Sequence, residues 1–225
     1  QFKWIKDNPE KAGVRMGEQL AKAIMQDQLN SAIRAAVAAF TGIGVAVVHD
    51  GTAAVLDRTG LVDAAFKFGD RQSALNCWVT HSKPMADIYK GNLANAEQLF
   101  NIGTVSVSQD GMGRIMVMTD SDDLVSIDAG GVGIHHYHTL GLVQGAITVE
   151  DNGTLDLNED TSNGDENIKS TIQAEYDFNL GLKGISWDKA SGGAAPNDAA
   201  IAASANWDQV ATDVKDTAGV MITTL

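Results

Sequence analysis

After Pro9 no further proline occurs until beyond Phe40, and Met25, Leu29, Ile33, Ala36, Val37 and Phe40 recur at intervals of three and four. That period places them on one face of an α-helix. Met16, Leu20 and Ile24 form a second stripe offset from the first. Asp7-Asn8-Pro9-Glu10 supplies the start: a capping side chain, a proline for the first turn and a carboxylate near the positive end of the helix dipole. Thr41-Gly42-Ile43-Gly44 supplies the stop, while Gly13 and Gly17 weaken the first turns. Thirty residues of helix run ~45 Å. Such a length suits either a central helix buried against a sheet or a spine that braces an elongated subunit.

Beyond the helix, shorter elements alternate. Val45 to Val48 is small and apolar; Thr59 to Phe68 is a predicted helix with Thr59 as its cap and Leu61, Val62, Ala65 and Phe66 inward. Ala74 to Thr80 is expected as a strand ending at His81, and Ser82-Lys83-Pro84 opens a helix through Tyr89. Ile102 to Val107 and Arg114 to Thr119 flank Gln109-Asp110-Gly111-Met112-Gly113, a hairpin signal. Leu124 to Ile127 and Gly141 to Val149 are expected as strands. Glu150-Asp151-Asn152-Gly153 reads as a turn, and Leu155 to Glu166 as an exposed acidic loop or hairpin tip. Ser170 to Trp187 alternates as one long strand or two; 191–196 is a flexible connector, and 197–225 a small tail ending in apolar Val220-Met221-Ile222.

The 225 residues are 44% hydrophobic and 20% charged, a globular composition long enough for a buried core. Net charge is −13, and it is uneven. Residues 1–100 hold 11 basic and 10 acidic side chains; residues 101–225 hold 5 and 19. So acidic a surface repels phosphate, which excludes nucleic-acid recognition as the main activity. The single cysteine, Cys77, excludes an internal disulfide framework. No uninterrupted apolar run reaches the ~18 residues of a membrane span.

Candidate chemistry is sparse. Along a strand, His136 and His138 share a face and His135 takes the other. Two imidazoles can hold Zn²⁺ only with further ligands, for which Asp128, His49 and His81 are candidates. Packed or interfacial histidines are the simpler reading. Asp156, Asn158 and Asp160 imitate half a calcium loop, but Thr161 stands where glycine is required and Asn167 where the bidentate glutamate belongs. Gly42-Ile43-Gly44 and Gly130 to Gly133 lack the spacing of a phosphate-binding loop and read as turns. Cys77 beside Trp78 reads as a small buried hydrophobe. No serine sits in a nucleophile elbow. The residues alone give an acidic α+β domain with one very long helix and no assigned catalytic, cofactor or metal site.

Three segments in order carry a resemblance: Trp4 to Gly13 leading into Met16 to Ala21; Trp78 to Ile88 with Gly113 to Asp120; and Gln173 to Asp188, closed by Asn206-Trp207-Asp208 and Lys215 to Gly219. The chain resembles the major capsid proteins of tailed bacteriophages with the Hong Kong 97-type fold. The resemblance implies a peripheral domain with the spine helix at 1–40, an axial domain at 41–168, a return to the peripheral domain at 169–190 and a C-terminal extension at 191–225. It implies no enzyme and no cofactor. The expected function is a structural subunit that self-assembles as pentamers and hexamers into an icosahedral shell. Such a shell would enclose double-stranded DNA without specific binding, its acidic part toward the lumen, with decoration, scaffold and portal proteins as further partners and no membrane. The expected location is the virion, after assembly in the host cytoplasm. The alternative is a metal-binding protein or enzyme built on His135, His136 and His138. The sequence starts at Gln1, and the arm and extended loop that precede the spine helix in relatives are absent from these residues. A cleaved or omitted N-terminal part is therefore expected.

Overall fold

The computed structural model describes residues 9–94, 107–109, 113–127, 133–162 and 169–225. Helix α1 spans Pro9–Ile43 without a break at Gly13 or Gly17. It is ~52 Å long at 1.5 Å per residue. It ends where the stop signal stands, with Gly44 at φ 77°, a conformation a side chain would strain. The two halves of α1 differ. Ser31 to Phe40 is buried except for the half-buried Arg34 and Val37, whereas most described positions from Lys11 to Leu29 are exposed. Met25 and Leu29, expected to share the buried face of Ile33 and Phe40, therefore lie in the open. Gly13–Ala46 is long and apolar enough to cross a membrane by length and composition, with mean hydropathy 1.4 in its best window. Its most apolar stretch is also the centre of the core.

Strands β1 (Val48–Gly51), β2 (Leu75–Thr80), β3 (Val107–Gln109), β4 (Ile115–Met118), β5 (Val125–Ile127) and β6 (His135–Val143) belong to one sheet. Strands β7 (Ile147–Ser162), β8 (Lys169–Leu182), β9 (Ile185–Trp187) and β10 (Trp207–Gln209) form a second. The last strand, β11 (Gly219–Thr224), returns to the first. The order there is β1-β11-β6-β2-β4-β3, with β5 also on β6; the second sheet runs β10-β9-β8-β7. Strand β11 lies parallel to β1 and antiparallel to β6, so the residues read as a small tail supply a central strand. Among the described residues, four α-helices accompany the sheets after α1: α2 (Arg58–Ala65), α3 (Ser82–Ala94), α4 (Lys189–Gly192) and α5 (Asp198–Ala202).

Several boundaries move. Helix α2 is capped by Asp57, whose carboxylate accepts from the Gly60 amide at 2.7 Å, not by Thr59. Leu61 and Ala65 point inward as expected, but Val62 and Phe66 are exposed, and Ala64 and Phe68 take their places. The expected strand Gly141 to Val149 is two strands: β6 starts at His135 and β7 resumes after a turn with Gly145 at φ 68°. The acidic stretch after Glu150 is strand as far as Ser162, paired with β8 throughout except for a register shift between Asp151 and Leu155. Alternation of apolar and polar residues holds on both sides of that shift, which is why a ribbon forms where charge alone suggested a loop. The expected hairpin at Gln109 to Gly113 is present as antiparallel β3 and β4. Residues 110–112 between these strands, 102–106 and 163–168 lie outside the described residues.

Helix α1 touches both sheets, through β1, β6 and β11 of the first and β7, β8 and β10 of the second. One continuous core results, with Ala35, Ala36, Ala39 and Phe40 at its helix side and Trp78, Leu140, Val220 and Ile222 at its sheet side. Trp78 lies fully buried across the backbone of β6, where a Cβ at Gly141 would stand 2.5 Å from its ring. Gly141→Ala is therefore expected to destabilise the fold by ~1–3 kcal/mol, the usual cost of overpacking. Thermal or urea unfolding of the purified variant checks this; an unchanged midpoint would mean the ring moves aside freely.

Candidate functional site

The three histidines of β6 do not converge. His138 is buried, with Nδ1 3.0 Å from Thr223 Oγ1 on β11 and Nε2 3.0 Å from Ser126 Oγ on β5. Both ring nitrogens are thus occupied by hydroxyls, which can donate to one and accept from the other. His136, on the same face, is half-buried, and His135 is exposed. His81 lies elsewhere: its Nδ1 accepts from the Lys83 amide at 3.2 Å, capping α3, and its ring is 5.3 Å from that of Tyr137. Tyr137 alternates with His136 and His138, so His81 stands on the opposite face of the sheet. His49 pairs with Ile222 on the far side of β11, and Asp128 is outside the described residues. Among the described residues, no group of three or more His, Cys, Asp or Glu is placed to hold a metal ion.

The other candidates resolve in the same direction. Asp156, Asn158 and Asp160 lie along β7 opposite Glu175, Gln173 and Thr171, on an extended backbone that cannot wrap an ion; Asn167 is outside the described residues. Gly42 ends α1 where a Cβ would stand 2.8 Å from the Ser204 carbonyl oxygen, so it serves close packing and not phosphate binding. Of the second glycine run, Gly133 takes φ 68°, which is turn chemistry. Cys77 is half-buried, and that burial pushes its thiol pKa up, away from reactivity.

What the chain does display is surface of a different kind. The outer half of α1 exposes Val14, Met16, Met25 and Leu29. The ribbon beyond the register shift exposes Leu155, Leu157 and Ile172. Its two faces differ: Leu155, Leu157, Ile172, Ala174 and Tyr176 share one with Glu159, and Asp156, Asn158, Asp160, Thr171, Gln173 and Glu175 take the other. Soluble monomers seldom leave apolar side chains so aligned on two projecting elements, whereas proteins that associate do. The Gp13-like family, described as Major capsid protein 13-like, matches residues 1–221. The chain belongs to this family of major capsid proteins. Comparison with curated proteins gives no match.

A major capsid protein is a structural, non-enzymatic component of the virion, and its work is self-assembly into the capsid. The residues that matter in this capsid protein are therefore those that hold one shape while presenting its surfaces. Arg34 is one that motif reading missed. Its Nε donates to Asp123 at 2.8 Å and its Nη1 contacts Asp198 at 2.7 Å, tying α1 to the turn before β5 and to α5. The signal was present, as Arg34 is the sole charge in the apolar run from Ser31 to Phe40. Tyr176 is another: its hydroxyl donates to Asp27, joining the ribbon to α1. Burial, and then this carboxylate, push the phenol up to about 12. Trp187 and Trp207, both within the motifs, are register partners on β9 and β10 with rings 4.8 Å apart, edge to face. Their indole N–H groups donate to the Gly193 and Ile201 carbonyls at 2.8 and 2.9 Å.

His138 carries a pH consequence. Burial, and then neighbouring His136, lower its pKa from 6.5 to about 4. The unfolded chain therefore binds the extra proton first, and stability is lost as pH falls from about 6.5 to about 4, with no further loss from this group below that. The full effect is ~3 kcal/mol. In His138→Gln the unfolding midpoint is expected to start lower at about pH 7.5 and to fall less steeply between about pH 6.5 and about pH 4.5 than in the parent chain. Equal slopes would show that His138 does not set this dependence.

Proposed function

We propose that this capsid protein is a Hong Kong 97-type subunit of a tailed bacteriophage, assembling as pentamers and hexamers into an icosahedral shell around double-stranded DNA. The observation that carries the reading is α1 itself: a 35-residue helix, half core and half projection, on which two sheets rest. A shell needs a subunit whose outline stays constant while its edges meet several neighbours. A helix packed along half its length on both sheets supplies that constancy, and the projecting half and the ribbon supply edges.

In this reading residues 1–40 and 169–190 form the peripheral domain, 41–168 the axial domain, and 191–225 an extension that gives β11 to the axial sheet. The net charge of −13 supports enclosing DNA without gripping it. Decoration, scaffold and portal proteins are the partners such a shell would meet, and assembly would take place in the host cytoplasm.

Electron microscopy of the concentrated chain, with and without co-expressed phage structural proteins, tests the proposal. Closed shells or rings of five and six subunits are expected. A dispersed monomer under all these conditions, or open filaments, would overturn it.

A further inference from the structure

The apolar stripe of α1 runs on past the core. Val14, Ala21, Met25 and Leu29 continue the face of Ala32, Ala36 and Phe40, and Lys11, Glu18 and Lys22 lie among them. These outer positions fall within ~100° of arc at 100° per residue. All of them are exposed, Met25 at 68% and Val14 at 63%. The chain's own ribbon lies elsewhere. It is held at Asp27, which takes the Tyr176 hydroxyl, and Asp27 stands ~160° round the helix from Met25. The half-buried Leu20 and Ile24 are on Asp27's side of the helix as well.

The charges make this stripe complementary to itself. Two copies laid antiparallel about a two-fold at residue 20 set Glu18 of each against Lys22 of the other. In the same register Val14 meets Met25 to within one residue, and the stem of Lys11 lies over Leu29. Small Ala21 then falls near the axis, where the helices come closest. A parallel pair would set Glu18 against Glu18 and Lys22 against Lys22, which like-charge repulsion disfavours. Antiparallel overlap of 11–29 also leaves the buried segments, which begin at Ser31, beyond its opposite ends.

We infer that two copies of this chain join through the outer halves of α1, packed antiparallel with Glu18 paired to Lys22 twice. The occupant is a second copy because its own stripe is the surface whose charges answer these position by position. The contact is isologous and closes on its two-fold. It rests on the shell reading above and supplies the link between neighbouring rings, not the contact within a ring. The exposed ion pairs set register more than strength. The stripe offers far fewer side chains than the ~20–30 a side of a self-sufficient interface, so the contact holds within an assembly and not as a free dimer.

Charge exchange tests it. Glu18→Lys and Lys22→Glu are each expected to lower particle yield by about tenfold, and both exchanges in one chain to restore it. All three are expected to keep the unfolding midpoint of the isolated chain within about 2 °C, as exposed sites should, so lost yield reports the contact and not the fold. Undiminished yield in the single variants, or no recovery in the double one, would overturn the inference. Two single-cysteine chains, Val14→Cys and Met25→Cys, both in a Cys77→Ser background, give a second readout. Mixed before assembly and mildly oxidised, they are expected to give a covalent dimer that neither gives alone, since like positions stand ~15–18 Å apart along the antiparallel pair. Dimer from Met25→Cys alone would mean a parallel contact and would overturn the inference. So would absence of dimer in a mixture that still forms particles, leaving the shell reading intact. If the unsubstituted chain forms no particles under any condition, the shell reading fails and the inference with it.

Discussion

Five alanines decide how closely the parts of this subunit meet. Ala32, Ala35, Ala36, Ala38 and Ala39 are all nearly inaccessible, so the inner half of α1 meets its neighbours through methyl groups. Both sheets can then approach one helix from different sides, and the core is continuous instead of split in two. A larger side chain at any of these positions would separate a sheet from the helix, at the cost expected for an overfilled interior. Arg34 fits this arrangement because its long stem leaves the packed face and its guanidinium finds two carboxylates at the rim. Tyr176 and Asp27 repeat the device further out, where burial has ended.

Much of this was legible in residue order. The period of three and four gave α1 to within a few residues at its C-terminal end, because one strong pattern ran uninterrupted to a glycine stop. Strand β2 and the start of α3 were equally clear, since Pro84 marks a first turn and His81 stands just before it. What the pattern could not give was coverage. Met25 and Phe40 have the same periodicity and opposite exposure, since burial depends on which strands arrive from the far end of the chain. The ribbon was hidden for a related reason. Its apolar face bears few and widely spaced side chains, and its polar face is acidic, so composition outweighed alternation.

The histidines show why a cluster in sequence is a weak guide to a site. Strand geometry sends neighbours to opposite faces, and the sheet then supplies each with a different partner: hydroxyls for His138, and, for His81, an amide at a helix start. Three of the motif residues, Trp78, Trp187 and Trp207, mark places where rings lie against backbone or against each other. Trp78 and Trp187 each depend on a glycine that leaves room: Gly141 beneath one and Gly192 beside the other.

The position of β11 has a consequence for synthesis. Val48 of β1 has its partner Met221 about three quarters of the chain length later, and β6 meets the same strand. The central sheet therefore stays open, with β1 and β6 lacking the strand between them, until that late segment has left the ribosome. At ~5–20 residues per second the interval is on the order of 10–30 s. Even once Leu182 has emerged, late in that interval, the nascent chain can hold helix and ribbon but not the completed first sheet. The order of strands thus makes completion of the first sheet one of the last steps in the folding of this chain.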